Sequence, residues 1–250
     1  MKHLILAAAA LVALTSGVHA QTTRLGTEGA YPPYNFVDES GKIGGFDIDV
    51  GNEICKRAEL TCEWVINDWD TIIPNLLAGN YDAILAGMSI TDERKKTIDF
   101  TEEYFPNDPS TFVTLAGSTV DLDALTGLKL GAQGATIQAF WLEENAKANN
   151  TLLSYATPDQ ALADLTAGNI DAVLADKSYL AEAVAGSDGA LTLAGPNVIA
   201  GGGVGIGMRK ADPDLRAKFD TALAAMKADG TLDALITLYF PEREGGPFYD

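Results

Sequence analysis

An internal match constrains the fold of this 250-residue chain more strongly than any other feature of its sequence. The segment LLAGNYDAIL at residues 76–85 aligns without gaps on LTAGNIDAVL at residues 165–174. Each segment is typical of a helix that ends at a glycine, Gly79 or Gly168, followed by a tight turn and a buried strand. The AGN tripeptide is by itself a favourable helix-to-strand turn, so the match could also reflect physical convergence. Under either interpretation it predicts two lobes that are built alike.

Short apolar strands and amphipathic helices alternate around both copies of this match. One series extends from Arg24 to Thr101 and another begins at Lys129, and this βαβ rhythm predicts an α/β fold. The predicted elements are, in the first series, TRLGT, a helix over 47–58, CEWVI, a helix over 71–77 and YDAILAG, and in the second series KLGAQ, a helix over 137–148, LLSYA, a helix over 159–166 and IDAVLAD. We therefore expect two open sheets flanked by helices.

Two extended segments are predicted to join these lobes. In YFPNDPSTFVTLAG, Pro106 and Pro109 exclude a helix and favour an extended crossing. The glycine-rich run GPNVIAGGGVGIGM would bring the chain back and lead into a strand that ends at Met208, although such a run could equally be a loop. Helices predicted over 213–228 and 232–239 follow this return.

The N-terminus has the pattern of a cleaved secretory signal peptide, residues 1–20. Lys2 precedes an apolar run over 4–14, and small residues lead to Ala20, after which we expect cleavage. The apolar run is too short to span a bilayer, and no later segment approaches the roughly 20 apolar residues that a membrane helix needs. We expect a soluble protein that is exported.

Histidine and charge content exclude several classes of function. Both histidines, His3 and His19, lie in the predicted signal peptide, so the mature chain can form neither a Ser-His or Cys-His nucleophile nor a histidine-ligated zinc site. Acidic residues number 35 against 17 basic ones, a formal net charge of -18 with no Lys/Arg cluster, which argues against nucleic-acid or anionic-membrane binding. We expect no metal and no cofactor.

Residues 87–101, GMSITDERKKTIDFT, have the pattern of a carboxylate-binding turn. Ser89 follows the strand YDAILAG, and Thr91 is placed to cap a short helix whose first turn contains Arg94. Free backbone N–H groups and a planar guanidinium would both converge on a carboxylate. The spacing alone fits equally an ordinary capped surface helix with a solvated arginine.

The order AGMSIT, two acidic residues, Arg94 and IDFTEEYF resembles the signature of the polar amino-acid-binding proteins that serve bacterial ABC importers. Further marks of that family recur along the chain, namely GTEGAYPPYNF, GFDIDV, Gln133-Gly134, IDAVLAD and DGTLDALITLYF. The resemblance implies a two-lobed periplasmic binding protein fold of type II, in which two hinge strands join the sheets. It also implies a discontinuous lobe 1, residues 21–106 and 200–250, around a lobe 2 of residues 107–199.

The same resemblance implies the function. It is that of a monomeric, non-enzymatic solute-binding protein that captures an amino acid in the cleft between its lobes and delivers it to the membrane permease of an ABC transporter. For this chain the resemblance implies a cationic amino acid, with arginine ahead of lysine, ornithine and histidine.

Residue by residue, the family motifs imply separate contacts for the ligand carboxylate and the ligand ammonium. Arg94 and Thr136, which begins the helix after QGA, would bind the carboxylate, whereas Asp176 would bind the ammonium. The other candidates near these two groups are Gly87, Met88, Ser89 and Gln133. Without the resemblance, Thr136 could be a plain N-cap, and Asp176 could pair with Lys177 or cap the next helix.

A third set of residues would contact the ligand side chain. Tyr31 and Trp69, the latter before Asp70 as an expected N-cap, lie at strand-to-helix connections and could sandwich a flat guanidinium between their rings. Glu28 follows the first strand directly and would pair with the distal positive charge, which favours arginine over lysine. Each has an ordinary alternative: core packing for the aromatic rings and a solvated loop position for Glu28.

The two cysteines, Cys55 and Cys62, are separated by a helix end and a turn. In an oxidising compartment such a pair is expected to form a disulfide, and a pair of free thiols is the alternative. The resemblance supports the disulfide, because many cationic amino-acid binders have a cystine at this place.

Other functions remain open. Several cationic binders have a serine where this chain has Gly87, and the smaller residue leaves room for the N-substituent of an opine. A neutral polar ligand such as glutamine is a further alternative. The fold also resembles that of cyclohexadienyl dehydratases, in which a carboxylate does acid-base chemistry without histidine. A detached sensory module is the remaining possibility.

Overall fold

The computed structural model describes residues 22–243 and 246–249, and the predicted signal peptide with both histidines lies outside them. The strands are β1 (Thr23–Thr27), β2 (Ala30–Tyr31), β3 (Asn35–Val37), β4 (Ile43–Gly44), β5 (Cys62–Ile66), β6 (Ala83–Ile84), β7 (Asp99–Phe105), β8 (Ser110–Leu115), β9 (Lys129–Gln133), β10 (Thr151–Tyr155), β11 (Ala172–Asp176), β12 (Leu191–Val198) and β13 (Val204–Met208). The helices are α1 (Phe46–Arg57), α2 (Trp69–Leu77), α3 (Asp92–Thr97), α4 (Ile137–Asn145), α5 (Pro158–Thr166), α6 (Lys177–Ala185), α7 (Pro213–Ala228) and α8 (Thr231–Tyr239). Of the helices in the described ranges, none combines the length and apolar character that a membrane span requires.

The two main sheets share one arrangement. The first has the strand order β5-β1-β6-β13-β7, and the second has the order β10-β9-β11-β8-β12. In each, the first three strands run parallel to one another, and the fourth strand is antiparallel to both of its neighbours. The edge strand beyond it therefore runs in the same direction as the first three. β2, β3 and β4 form a separate small antiparallel sheet. The expectation of two open sheets flanked by helices is confirmed.

The internal repeat forms the same turn twice. α2 and α5 both end two residues before a left-handed glycine, Gly79 at φ 79° and Gly168 at φ 73°. In each copy the N–H of the following asparagine donates to a carbonyl five residues earlier, that of Asn75 at 3.0 Å or Asp164 at 2.9 Å. A residue with a β-carbon is strained at such positive φ, so the two glycines allow both helices to end in the same way.

Both faces of each sheet are buried, because residues alternate along the central strands. In β6 and the residues after it, Ala83 and Leu85 pack with α1, α7 and α8. Ile84 and Ala86 pack on the opposite face, with α2. Residues 172–175 alternate in the same way between a cluster with α4 and a cluster with α5 and α6. Each sheet therefore has its own two-sided core.

The chain crosses between the sheets twice. The first crossing runs from β7 to β8 through residues 106–109, and the second runs from β12 to β13 through residues 199–203. After the glycine-rich return, β13 ends at Met208, as predicted. α7 and α8 then pack against α1, and α7 also contacts β7, so the C-terminal helices belong to the core of the first sheet.

A disulfide joins Cys55 in α1 to Cys62 at the start of β5, with the two Cα atoms 6.2 Å apart. The expected disulfide is therefore present, and it ties the end of α1 to the edge strand of the first sheet.

Candidate ligand-binding site

A cavity lies where strands of both sheets end. β1 and β6 of the first sheet and β9 and β11 of the second have their carboxyl ends at this cavity. Ligands of open α/β sheets commonly bind at such strand ends. About 330 Å³ of space, open solvent included, lies between the lining atoms. The lining residues are Glu28, Tyr31, Trp69, Ala86, Gly87, Ser89, Arg94, Gln133, Thr136, Ile137, Gln138 and Asp176. The structure thus brings together every predicted ligand contact except Met88.

Arg94 brings a positive charge to the cavity with only neutral partners. It lies in the first turn of α3, where Thr91 caps the helix by accepting the Arg94 N–H at 3.2 Å. Its Nη1 donates to the Ser89 carbonyl at 2.8 Å, and its Nη2 donates to the Ala135 carbonyl at 3.3 Å. None of the ion pairs among the described residues involves Arg94. Burial lowers its pKa to about 10, partly offset by Asp176, so it stays protonated at neutral pH.

Asp176 brings a carboxylate to the cavity from the end of β11. Its Oδ2 accepts the Tyr31 hydroxyl at 2.9 Å, and its Oδ1 accepts the Gln138 Nε2–H at 2.8 Å. Burial, followed by the nearby Asp108, raises the pKa of Asp176 to about 7. Its side chain makes no capping bond to α6, and in the described part of the chain it forms no ion pair with Lys177. Both ordinary alternatives for Asp176 are therefore absent from these residues.

Glu28 is the second carboxylate in the cavity, and it is only 7% exposed. Its Oε1 accepts the Gln133 Nε2–H at 2.6 Å, and the same nitrogen donates to the Ala156 carbonyl at 3.0 Å. Burial raises the pKa of Glu28 to about 7, partly offset by the bond from Gln133. The interpretation of Glu28 as a solvated loop acid does not fit this burial. A buried acid with an amide partner is best stabilised by a cation.

The two predicted aromatic residues, Tyr31 and Trp69, both line the cavity. The Tyr31 ring stacks on Tyr179, with centroids 4.5 Å apart and planes inclined by 13°. The Trp69 ring lies 5.3 Å from the centre of the Arg94 guanidinium. One face of each ring therefore has a protein neighbour, and a sandwich of both rings around a ligand stays a prediction.

Thr136 and Gly87 both line the cavity, and local hydrogen bonds hold each of them in place. The Thr136 hydroxyl accepts the Ala139 N–H at 3.1 Å and donates to the Gln133 carbonyl at 2.7 Å, so it caps α4 from within its own turn. Gly87 has φ 57°, and its N–H donates to Asp47 Oδ2 at 2.8 Å. The N-terminus of α4 thereby lies at the cavity, with its first N–H groups available to an anion.

Met88 does not line the cavity, contrary to expectation. Its side chain is fully buried in the apolar cluster with α2, and its carbonyl accepts the Gly205 N–H at 3.1 Å. Gly87 and Ser89 on either side do line the cavity.

The expected N-cap at Asp70 is wrong. α2 begins at Trp69, and its N-cap is Asp68, whose carbonyl accepts the Thr71 N–H at 3.1 Å. Asp70 lies inside the first turn, where an acidic side chain is stabilised by the helix dipole.

Sequence reasoning missed Gln138, which is 4% exposed and hydrogen-bonded to Asp176. The only available signal was its position two residues after Thr136, in the same first turn of α4. Within residues 22–243 and 246–249, no group of three or more His, Cys, Asp or Glu side chains is arranged to hold a metal ion.

Comparisons with known proteins agree with this arrangement. A family model described as bacterial extracellular solute-binding proteins, family 3, matches residues 23–242. The lysine/arginine/ornithine-binding periplasmic protein of Escherichia coli is 38% identical over 256 residues, covering 96% of this chain and 97% of that protein. The L-arginine-binding protein of Pseudomonas aeruginosa is 38% identical over 226 residues, covering 87% of each.

A solved structure is more similar still in sequence. The crystal structure of a periplasmic His/Glu/Gln/Arg/opine family-binding protein from Silicibacter pomeroyi, in complex with lysine, is 50% identical to this chain. It superposes with a TM-score of 0.84 and covers 90% of this chain and 99% of that chain.

Proposed function

The chain belongs to the bacterial extracellular solute-binding proteins of family 3, and we propose that it captures a cationic amino acid, arginine foremost, and delivers it to the permease of an ABC transporter. Two relatives are named for binding arginine, alone or with lysine and ornithine, and the solved structure from Silicibacter pomeroyi contains lysine. The Escherichia coli relative and the Silicibacter pomeroyi protein are both named as periplasmic, which supports export of this chain after cleavage behind residue 20.

The charge balance of the cavity carries the proposal. Its lining contains one guanidinium, Arg94, and two carboxylates, Glu28 and Asp176, a net charge of -1 when all three are ionised. A zwitterionic amino acid with a neutral side chain would leave that charge uncompensated in a site of low dielectric. A cationic amino acid carries +1 and neutralises it, whereas glutamate would double the imbalance.

The contacts follow from this balance. The ligand carboxylate would lie against Arg94 and the backbone N–H groups at Thr136, and the ammonium would lie against Asp176. The distal cation would pair with Glu28, and a guanidinium does so with two parallel hydrogen bonds. A guanidinium plane also suits the space between the rings of Tyr31 and Trp69, which favours arginine over lysine.

Closure of two lobes around the ligand is the expected motion. We divide the chain into lobe 1, residues 21–106 with 200–250, and lobe 2, residues 107–199. The division is supported by the two separate cores and by the two crossings through residues 106–109 and 199–203.

Calorimetry with a ligand panel tests the proposal, on protein that has been unfolded and refolded to remove carried-over ligand. The panel is arginine, lysine, ornithine, histidine, octopine, glutamine, glutamate and citrulline, the last being a neutral analogue of arginine. We expect arginine to bind at least about 30-fold more tightly than citrulline, equivalent to about 2 kcal/mol for the charge. The Glu28→Gln variant should lose that preference while keeping its citrulline affinity.

Tight binding of glutamate or glutamine by the wild-type protein would contradict a cationic ligand, and octopine above arginine would identify an opine binder. A dehydratase-like activity has its own supporting observation, because Glu28 and Asp176 both have pKa values raised to about 7 and could exchange protons at neutral pH. Turnover of prephenate or arogenate by the same refolded protein would replace the transport proposal with an enzymatic one.

A further inference from the structure

Gln138 is the second residue of α4, and its side chain connects two polar groups inside the second sheet. Its Nε2 donates to Asp176 Oδ1 at 2.8 Å and to Ser110 Oγ at 2.9 Å. Gln138 and Ser110 are 4% and 1% exposed. Both N–H groups of the amide are thus used, so its orientation is fixed by two partners on neighbouring strands, β8 and β11.

The Asp176 carboxylate is held from both sides. Gln138 donates to one oxygen, and the Tyr31 hydroxyl donates to the other at 2.9 Å. A carboxylate offers about four acceptor positions, so two remain for an incoming donor after these bonds are made. The two bonds therefore fix the carboxylate plane without saturating it.

We propose that Gln138 is a positioning residue that orients Asp176 toward the ligand ammonium, a role that rests on the proposed function. One of its partners, Ser110, is neutral, and the other, Asp176, is the carboxylate of the site itself. The Gln138 amide carries no charge. A lysine or arginine at this position would neutralise Asp176 and leave no countercharge for the ligand. A neutral donor orients the carboxylate and leaves its charge available to the ammonium.

The same turn of α4 also serves the ligand carboxylate. Thr136 caps α4 and lines the cavity, and Gln138 follows it by two residues. One helical turn thereby connects the predicted carboxylate contact with the orientation of the predicted ammonium contact. The spacing between the two ends of an α-amino acid would be set by this turn.

The test compares arginine with argininic acid, in which a hydroxyl replaces the α-amino group. Gln138→Leu removes the donor at similar size. We expect its arginine affinity to fall by about 10- to 100-fold, as for loss of a hydrogen bond to a charged group, and its argininic acid affinity to change by less than about 3-fold. The matched control is Gln133→Leu, which removes the donor from Glu28 instead. It should alter the preference for arginine over citrulline and leave the preference for arginine over argininic acid within about 3-fold of wild type.

The pH profile supplies a second readout. The groups facing Asp176 are Asp108, Tyr31, Tyr34, Arg94 and Gln138. Burial, followed by Asp108, raises the pKa of Asp176, and the bonds from Tyr31 and Gln138 together with the charge of Arg94 lower it. In Gln138→Leu the rise of arginine affinity with pH should therefore move to higher pH. A role in folding alone would not move it.

Ser110→Ala keeps the test decisive if Gln138→Leu does not fold. It removes the second partner of the amide and leaves Asp176 intact. We expect a loss of about 2- to 5-fold for arginine alone. Equal losses for arginine and argininic acid, or no loss for either, would overturn the positioning role while the proposed function stands. If the wild-type protein binds no amino acid, the proposed function fails first and this role fails with it.

Discussion

The central strands of the two sheets occupy equivalent positions and end in different side chains. In the first half, the Asp82 N–H donates to the Arg24 carbonyl at 2.8 Å, and the Arg24 N–H donates back to the Asp82 carboxylate at 2.9 Å. In the second half, Asp171 and Lys129 exchange the same two bonds, at 2.9 Å and 2.7 Å. β1 is therefore equivalent to β9, and β6 to β11.

Four residues beyond Arg24 and Lys129, this equivalence pairs Glu28 with Gln133, and these two side chains bond to each other across the cavity. It also pairs Gly87 with Asp176. The first half thus has an acid at the end of β1 and no side chain at the end of β6. The second half has an amide and an acid at the corresponding places.

The two halves therefore share the positions from which side chains reach the cavity, but they differ in the charges at those positions. Glycines at equivalent strand positions, Gly26 and Gly131, have no room for a β-carbon, because Tyr81 and Ile170 would lie 2.6 Å and 2.8 Å from it. Such packing rules are kept in both copies. Charge is not repeated, and a ligand with distinct ends requires that asymmetry.

The largest expected effect comes from making the second half resemble the first. Asp176→Ala should weaken arginine binding by about 3 to 5 kcal/mol, because the ammonium would be buried without its countercharge. Calorimetry on refolded protein measures it. Asp171→Ala, on the chain leading into the same strand, is the control and should leave affinity unchanged. If the affinity of Asp176→Ala for arginine stayed within about 3-fold of wild type, Asp176 would not be a ligand contact.

A second test compares the equivalent acids Asp82 and Asp171. Asp82 forms ion pairs with Arg24 at 3.3 Å and Arg209 at 2.9 Å. Burial alone would raise its pKa, yet the bonds from these two arginines hold the pKa below its usual value. Asp82→Ala should lower the free energy of unfolding by about 3 kcal/mol, since the Arg24 guanidinium loses its carboxylate partner and Arg209 keeps only its ion pair with Asp212.

Asp171→Ala should cost about 1 kcal/mol in the same urea titration, because one backbone N–H loses an acceptor. Equal losses would mean that the two ion pairs of Asp82 add nothing to stability.

The pH dependence of stability should distinguish the cavity acids from Asp82. The pKa of Glu28 is raised from 4.5 to about 7 in the folded state, so the folded protein binds more protons than the unfolded chain between those values. The contribution of Glu28 to the free energy of unfolding should therefore be greatest below about pH 4.5 and fall by about 2 to 3 kcal/mol as the pH approaches 7, whereas the contribution of Asp82, whose pKa is lowered, is lost toward acid pH.

Urea titrations at several pH values measure this slope, and Glu28→Gln should reduce it. Saturating arginine should flatten it as well, because the ligand cation stabilises the ionised carboxylates. A Glu28→Gln protein with the wild-type slope would show that Glu28 does not titrate in this range.

The last prediction concerns a feature of the first half alone, the disulfide between Cys55 and Cys62, which should affect stability and not ligand binding. It closes a short loop, with a sequence separation of 7. Reduction should lower the free energy of unfolding by about 2 kcal/mol and leave arginine affinity unchanged, since neither sulfur lines the cavity. Two free thiols by mass spectrometry of periplasmic material would contradict the structural role.

Local chemistry in the sequence accounts for what could be predicted. Thr91 and Thr136 were predicted to begin helices and do so, because a hydroxyl that caps its own turn is a short-range property. α4 was predicted to reach Ala148 and ends at Asn145, since the Asn150 side chain donates to the Ala146 carbonyl at 2.7 Å and favours a turn there.

Long-range partners could not be predicted in this way. Glu28 and Gln133 were both candidates, yet nothing near either residue shows that they bond to each other across 105 positions. The same holds for Gln138, whose contact with Asp176 depends on how β8, β11 and α4 meet in space. Met88 lies in the apolar core and not at the cavity, because a motif match does not show which residues of a segment face the core.

The double crossing between the sheets has a kinetic consequence. Because residues 106–109 and 199–203 tie the halves together at two points, a ligand that has met one half finds the other as an intramolecular partner. Short tethers correspond to effective concentrations of about millimolar or more. The contacts from each half, which alone are too weak to retain an amino acid, can then form one after the other. Release begins when the contacts to the half that bound second are broken.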